Sequence, residues 1–242
     1  MIKIKKNKSP FVPAILFAVS LAMVSFSGCE KVRTEPITQT INSHLYENTW
    51  ATLIYGLGSY NIVCCVETHY NFFDGDSVFN GSTYKKLYCY KDEQHSTSFY
   101  EGLVRDNNSK IFFVPKDSST EYLLYDFSVI EGTSFEYTDY KFSEINTNVY
   151  VKNVDYINMN GNNVKRIQLS SPPPYDNNII DTWYEGIGSE KGFLYPILQL
   201  DGGVRVLLCC SQNDTLVYHN TQFSDCYYDN AEEVENIVHP NN

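Results

Sequence analysis

Residues 80–87 read NGSTYKKL, and residues 160–167 read NGNNVKRI. In both stretches Asn-Gly, a dipeptide preferred in tight hairpin turns, comes before a run of apolar and basic residues. Elsewhere the chain repeats short runs of Tyr, Phe, Val, Ile and Thr, which favour strands, between Asn-Gly, Asp-Gly and Gly-Gly turns. These features predict an all-β fold.

Two further pairs of stretches resemble each other in the same order along the chain. Residues 100–103 (YEGL) match residues 184–187 (YEGI) at an offset of 84 residues, and the Leu-Leu pair at 123–124 recurs at the same offset. The two Asn-Gly stretches lie 80 residues apart. Three matches at nearly one offset predict an internal duplication, because chance seldom reproduces both order and spacing.

We assign residues 48–130 to a first β repeat and residues 131–220 to a second, each long enough for about five short strands. The two copies are expected to be tandem antiparallel β-meanders that join in a sandwich or continue as one curved sheet, which would cover their apolar faces and edges. Residues 172–174 are three prolines inside the second copy. Proline cannot donate to a sheet ladder, so they predict a loop or an edge insertion.

Residues 221–242 are predicted to form a C-terminal tail with a short helix. Asn230 is a good helix-capping residue, and Glu233 follows three positions later. Three apolar residues then fall on one helical face: Val234, Ile237 and Val238. We expect this helix to be a terminal addition that contributes little to the fold.

The first 28 residues have the form of a cleaved export signal. Four lysines lie within the first eight residues, an apolar run follows over residues 11–26, and Ser27 and Gly28 precede Cys29. This ending resembles a bacterial lipoprotein signal, which implies that residues 1–28 are removed and that Cys29 carries the lipid. The alternative is an ordinary secretory signal, with Cys29 destined for a disulfide.

Residues 29–47 lack a sustained hydrophobic period and contain Pro36, so we predict a lipidated cysteine followed by a flexible tether. Several acyl chains would hold the protein at a membrane almost permanently. The predicted location is the outer membrane, at the cell surface. By their resemblance to the acidic residues of surface lipoproteins, Glu30 and Glu35 imply surface export, whereas Lys31 and Arg33 weaken that signal.

The predicted mature chain is strongly acidic. The leader holds four of the 18 basic residues and none of the 29 acidic ones, which leaves a formal charge of −15. Such a chain repels phosphate backbones and anionic headgroups, so nucleic acid is excluded as a partner. The lipid, rather than a basic patch, must provide attachment to the membrane. The 214 residues that remain are enough for a core, so no cofactor is expected.

The mature chain has six further cysteines, an even number that suggests disulfides in an exported protein: Cys64, Cys65, Cys89, Cys209, Cys210 and Cys226. Adjacent residues on a strand point to opposite faces, so each adjacent pair should offer one sulfur to a partner. We favour a disulfide between Cys89 and either Cys64 or Cys65.

A second disulfide is favoured between Cys226 and either Cys209 or Cys210 on the same argument. Metal binding is the alternative for these cysteines. It has little support, because the sequence contains no C-x-x-C pair and no histidine at ligand spacing from them. No metal site is predicted.

Residues 183–189 read WYEGIGS and resemble a motif, W-x-E-G-I-G-S, of secreted and surface proteins of the Bacteroidetes. Residues 84–88, 102–106 and 121–127 resemble further segments of the same mostly uncharacterised lipoprotein family. The resemblance covers nearly all of the mature chain and implies no activity. In physical terms Trp183 should fill core volume, while glycines nearby permit a bend.

Glu185, Gly186 and Gly188 belong to that structural motif. Glu185 has a counterpart, Glu101, at the same place in the first copy. Two such carboxylates could hydrolyse a glycosidic bond if they lay about 5–10 Å apart across a sugar. Their equivalent places favour a repeated structural role, so we predict that the protein is not an enzyme.

Other sequence signals of catalysis are absent. The five histidines form no H-E-x-x-H motif, the serines form no G-x-S-x-G elbow, and no glycine run suits a phosphate. Residues 74–76 (DGD) lack the further acids of a calcium loop and predict a turn.

Tyr84, Tyr88 and Tyr90 fall on one face of a predicted strand. They could expose a flat aromatic surface suited to a glycan or a protein. The alternative, which we favour, is that this face packs against the other copy.

Together these features predict a membrane-anchored surface lipoprotein that acts in binding, adhesion or envelope organisation. A polysaccharide-degrading enzyme at the membrane surface and a periplasm-facing structural scaffold are the alternatives. The ligand is expected to be a glycan or a protein. The tether would give the domain reach, and the β loops would offer polar and aromatic contacts to the ligand.

Overall fold

Thirteen strands and one short helix occur among the residues that the structure, a computed structural model, describes: 45–142, 145–174, 178–197 and 203–240. The strands are β1 (Asn48–Leu57), β2 (Val63–Phe79), β3 (Ser82–Tyr90), β4 (Ser98–Asn107), β5 (Lys110–Pro115), β6 (Tyr122–Asp126), β7 (Ser134–Thr138), β8 (Asn146–Met159), β9 (Asn162–Ser170), β10 (Ile179–Tyr184), β11 (Gly188–Ser189), β12 (Gly203–Gln212) and β13 (Thr215–His219). The helix α1 spans Ala231–Val238, and short 3₁₀ turns span Leu45–Glu47 and Ser59–Asn61.

The strands form two antiparallel sheets. An eight-stranded sheet has the order β13-β12-β1-β2-β3-β4-β5-β6, and a five-stranded sheet has the order β11-β10-β9-β8-β7. The all-β prediction with a short C-terminal helix is therefore confirmed.

The two Asn-Gly stretches form equivalent hairpin turns. Asn80 and Gly81 connect β2 to β3 with φ of 47° and 77°, and Asn160 and Gly161 connect β8 to β9 with φ of 49° and 87°. Positive φ at both central residues is the requirement of the tight turn that matches strand twist. Burial also matches along the two strands that follow. Three residues of β3 (Tyr84, Leu87, Cys89) are buried, and so are the residues 80 positions later in β9 (Val164, Ile167, Leu169).

The two halves nevertheless follow different paths. β1 to β6 lie in the larger sheet and β7 to β11 in the smaller one, but β12 and β13 return to the larger sheet. Leu123 thus lies in the edge strand β6, whereas Leu207 lies in β12, paired with Thr52 of β1. The prediction that 131–220 is a complete second meander is wrong for its last strands, because β12 covers the open edge of β1. The likeness between the halves is confined to the shared hairpins.

The two sheets enclose one apolar core, which corresponds to the sandwich of the two predicted arrangements. Trp50 of β1 stacks on Phe193 at 4.3 Å between ring centroids. Tyr125 of β6 meets Trp183 of β10 edge to face at 5.1 Å. We call the face of the larger sheet that carries Trp50 the inner face, and the opposite one the outer face.

The C-terminal tail packs on the outer face. Phe223, Tyr228 and Val234 are buried there with Leu53 and Leu208 in a second apolar core. The side chain of Asn230 accepts hydrogen bonds from the N–H groups of residues 232 and 233, as its capping role predicts. The expectation that this helix contributes little is wrong, because its Val234 is fully buried in the second apolar core.

Residues 172–174 lie between β9 and β10, outside the strands, as the three prolines predict. The leader and the tether up to residue 44, including Cys29, lie outside the described residues. Within the described part of the chain no helix has the length and apolar character needed to cross a membrane.

Candidate functional site

Residues 183–189 form the hairpin that joins β10 to β11 in the smaller sheet. This hairpin packs against β1 of the larger sheet. The N–H of Ile187 donates to the carbonyl of Tyr184, which closes the turn. Gly186 has φ of 80° and Gly188 has φ of 107°, values that residues with a side chain rarely adopt. A Cβ at Gly188 would also lie 3.0 Å from the hydroxyl oxygen of Tyr125. Both glycines are required by the turn, in agreement with the predicted bend.

Two side chains of β1 bind the carbonyls of this hairpin. Trp50 Nε1 donates to the carbonyl of Ile187 and Asn48 Nδ2 to that of Gly186, both at 2.7 Å. Tyr125 donates its hydroxyl proton to the carbonyl of Phe193 at 2.6 Å. These buried bonds hold the hairpin against the larger sheet.

Asp181 is the buried acid beneath this hairpin. Its Oδ2 accepts from Trp183 Nε1 at 2.9 Å and from the N–H of Ile197 at 2.8 Å. Its Oδ1 accepts from Ser189 Oγ at 2.7 Å and from the N–H of Thr182 at 2.8 Å. Burial raises the pKa of this carboxyl despite the four donors. Every contact is internal, so the arrangement is structural.

Glu101 and Glu185 lie at different places along the sandwich. Burial raises the pKa of Glu101. Three nearby lysines act in the opposite direction and lower it: Lys91, Lys141 and Lys116. Glu185 instead lies near Asp106, whose pKa is raised by burial and then by the charge of Glu185.

Asp106 and Glu101 are five residues apart on β4, a separation of about 16 Å along a strand. Since Glu185 lies close to Asp106, the structure does not bring Glu185 and Glu101 together across a sugar-sized gap. No sequence motif marks Asp106, the carboxylate on which Glu185 acts.

One of the two favoured disulfides is present. Cys209 and Cys226 are bonded, with their Cα atoms 5.5 Å apart. Cys210 is a buried thiol on the inner face. From the sequence, either Cys209 or Cys210 could bond to Cys226. The structure selects Cys209, because a bulge in β12 turns both Leu208 and Cys209 toward the outer core.

The other favoured disulfide is absent. Cys89 is a buried free thiol, and Cys64 and Cys65 are also free. Cys89 lies opposite Asn71 of β2, seven residues along the strand from Cys64, a separation of about 23 Å. A disulfide needs Cα atoms within about 7 Å, so the predicted pairing is wrong.

Four aromatic rings form a stack on the outer face, which we call the aromatic column: Tyr88, Phe72, Tyr90 and His95. Phe72 and Tyr90 lie 4.5 Å apart with an interplanar angle of 8°, and Tyr90 and His95 lie 4.6 Å apart at 5°. Tyr88 stacks on the other side of Phe72 at 5.8 Å. The rings thus stack face against face, and each of the four is at least partly exposed to solvent.

The three tyrosines singled out from the sequence share the outer face but differ in exposure. Tyr88 and Tyr90 are partly exposed, whereas Tyr84 is buried and bonded to Glu121. Arg105 donates to Glu121 at 2.6 and 2.8 Å. The favoured alternative, that this face packs against the other copy, is wrong, because the smaller sheet packs on the inner face.

A pocket of about 400 Å³ lies between the aromatic column and the C-terminal tail. We call it the outer groove. Tyr70, Phe72, Tyr90 and His95 line one side, and the Cys209–Cys226 disulfide lines another. The disulfide therefore fixes a wall of the groove.

Polar groups complete the outer groove. Thr49, Ser211 and Asp214 contribute hydroxyls and a carboxylate. Asp214 is exposed at the turn between β12 and β13, where it and Asn213 have φ of 62° and 47°. Tyr70 donates its hydroxyl proton to the carbonyl of Cys226 at 3.1 Å, and burial raises its pKa to about 12.

Sequence reasoning identified Tyr88 and Tyr90 but not the other members of this surface. Phe72, His95 and Asp214 come from three further segments that only the folded sheet brings together. No cluster of three or more metal-binding side chains occurs in the described ranges. Comparison with protein-family models, curated proteins and solved structures finds no match to this chain.

Proposed function

We propose that the protein is a lipid-anchored surface module that binds a short stretch of neutral glycan in the outer groove. The observation that carries this proposal is the combination, in one groove, of an aromatic side with a hydroxyl and carboxylate side. Pockets that bind small ligands have volumes of about 300–1,000 Å³ and combine apolar walls with a few placed polar groups.

Sugars match this lining because a sugar ring has apolar C–H surfaces and a rim of hydroxyls. The ring atoms of Phe72 and Tyr90 that line the groove would make van der Waals contact with the C–H surfaces. Ser211 and the carboxylate of Asp214 would bind the hydroxyls, since a carboxylate accepts more than one hydrogen bond.

Charge selects among sugars. Asp214 lies in the groove, and the predicted mature chain has a formal charge of −15. Acidic sugars would be repelled, so a neutral glycan is the expected class.

Lipid attachment at Cys29 and the tether are sequence-based parts of the proposal. They would hold the module at the membrane and let the groove reach a ligand outside the cell. The resemblance to Bacteroidetes surface proteins supports the same location. A periplasm-facing scaffold stays the alternative.

Binding is tested with a glycan array, followed by calorimetry on the strongest hit. Asp214→Asn removes the charge from the groove but keeps a residue that tolerates the left-handed backbone. The matched control is Asp117→Asn, since Asp117 is also exposed and has φ of 61°.

We expect Asp214→Asn to weaken binding by about 10-fold, the effect of one hydrogen bond to a charged group, and Asp117→Asn to leave it unchanged. A wild-type protein that binds no neutral glycan, or equal losses in both variants, would contradict the proposal. Binding confined to a protein ligand would also do so.

Location is tested by treating intact cells with a protease too large to cross the outer membrane. Loss of this protein while a periplasmic control survives would support surface display. Survival until the cells are opened would favour the periplasm-facing scaffold.

A further inference from the structure

Cys64 and Cys65 are two neighbouring thiols at the start of β2. Cys65 is exposed and Cys64 is partly exposed, and neither forms a disulfide. The other two free cysteines of the described residues, Cys89 and Cys210, are buried. Among the cysteines that the structure describes, only the adjacent pair is therefore open to a solute.

The backbone brings the two sulfurs to the same side. In a regular strand adjacent side chains point to opposite faces. Here the register of β1 and β2 shifts between Ile54 and Gly56, and Cys65 has φ of 53° in the left-handed region. The bulge breaks the alternation, and the two side chains lie close enough for the Cys65 thiol to raise the pKa of Cys64.

The strand opposite leaves room for the pair. Gly56 of β1 pairs with Cys64, and a Cβ built on Gly56 would lie 3.2 Å from Cys64 Sγ. Any larger residue at 56 would crowd this sulfur. The segment that connects β1 to β2 is also exposed to solvent: the exposed fraction is 95% for Tyr60 and 55% for Ile62.

Two sulfurs are a suitable ligand set for one class of ion. Thiolates bind soft metals, and Cu(I) is among them. Zinc is almost always held by four protein ligands at structural sites, and the described part of the chain contains no group of three or more metal-binding side chains. The Cys64–Cys65 pair therefore suits a soft metal ion that binds with two ligands.

We propose that Cys64 and Cys65 form a two-sulfur binding site for a soft, low-coordinate metal ion of the Cu(I) class. Each S–H bond loses its proton to solvent, and a metal–sulfur bond forms in its place. No electron is transferred, so no oxidant or reductant is needed. The site depends on neither the outer groove nor the lipid.

The site is tested on the purified protein after reduction with a phosphine that is removed under nitrogen. Cu(I), supplied as its acetonitrile complex, is titrated in competition with a chromophoric Cu(I) chelator. We expect one ion per chain. Cys64→Ser and Cys65→Ser should each weaken binding by on the order of 100-fold, since one soft ligand is lost from two.

The control variant is Cys89→Ala, which removes a buried thiol and should leave Cu(I) binding unchanged. Circular dichroism checks that each variant keeps the wild-type fold. Absence of uptake by the reduced wild type would overturn the proposal. Undiminished uptake by the Cys64→Ser/Cys65→Ser double variant would do the same.

Proton release gives a second measurement that a non-specific ion cannot imitate. A cysteine binds a metal ion as its thiolate, so each thiol that becomes a ligand gives up its proton. Binding to both sulfurs should release two protons per ion in weakly buffered solution. Release of one proton or none would show that the two sulfurs do not act together.

Discussion

The inner and outer faces of the eight-stranded sheet are built from the same strands but are completed differently. The inner face is covered by the smaller sheet, and its polar atoms, such as Trp50 Nε1, bind buried partners. The outer face is covered by the C-terminal tail over part of its area and bears the aromatic column beyond it. An exposed aromatic surface therefore remains where the cover of the sheet ends.

The largest effect is expected on the inner face. Trp183 is 1% exposed and donates to Asp181. Trp183→Ala should lower the free energy of unfolding by about 3–5 kcal/mol, through lost burial and the cavity left behind. Urea unfolding measures this loss. Tyr156→Ala, on an exposed side chain of β8, should change stability by less than about 0.5 kcal/mol.

The second effect concerns the disulfide that fixes the tail to the outer face. Cys209 and Cys226 are 17 residues apart, and a loop of this size corresponds to about 3 kcal/mol of stabilisation. Cys226→Ser should lose about that amount and also weaken glycan binding, since the bond lines the groove. Urea unfolding and calorimetry provide the two readouts.

A reductant should destabilise the wild type but not Cys226→Ser. An equal response of the two proteins to reductant would show that another disulfide accounts for the loss. Cys65→Ser, on an exposed free thiol, is the matched control and should resemble the wild type.

The dependence of stability on pH should differ between the two faces. On the outer face, hydrogen bonds from Arg105 lower the pKa of Glu121. A lowered folded-state pKa gives stability that is present above the unfolded pKa of about 4.3 and is lost as the pH falls through the folded value. Glu121→Gln should therefore flatten the acid side of the stability curve, measured as the urea midpoint at a series of pH values.

Asp181 on the inner face has the opposite sign. Its pKa is raised by burial, so the stability linked to its protonation is complete below its unfolded pKa of about 3.9 and is lost as the pH rises through the folded value.

Glu136→Gln, on an exposed carboxylate of β7, is the control for Glu121→Gln. A steeper acid limb in Glu121→Gln would contradict the assigned sign.

The smallest effect is expected at the end of the aromatic column. His95 is exposed, has φ of 53°, and stacks on Tyr90. His95→Asn keeps a residue that tolerates this backbone and removes the ring, so we expect a loss of about 0.5–1 kcal/mol. Thermal unfolding measures it. A loss as large as that of Trp183→Ala would show that the column is part of a core.

Local features of the fold could be predicted from the sequence. The Asn-Gly turns and the Asn230 cap depend on residues close together in the chain, and both occur where the sequence places them. The return of β12 to β1 could not be predicted, because strand order depends on pairings between distant residues. The duplicated hairpins suggested a symmetry that this pairing does not follow.

The candidate site was predictable only in part. Period-two alternation correctly placed Tyr88 and Tyr90 on one face, but the burial of Tyr84 depends on Arg105 of β4 and on Glu121, which directly precedes β6. Alternation also misled at the adjacent cysteines, because bulges in β2 and β12 interrupt it. Asp181 has no motif of its own, since its four donors meet only in the folded state.

The pairing of β1 with β12 also determines when the protein can fold. Asn48, the first residue of β1, pairs with Gln212, 164 positions later. During synthesis the amino end emerges first, so β1 lacks one neighbour until nearly the whole chain has followed. Contacts this distant in sequence slow folding. The larger sheet should therefore be completed only after the carboxyl end of the chain has been made.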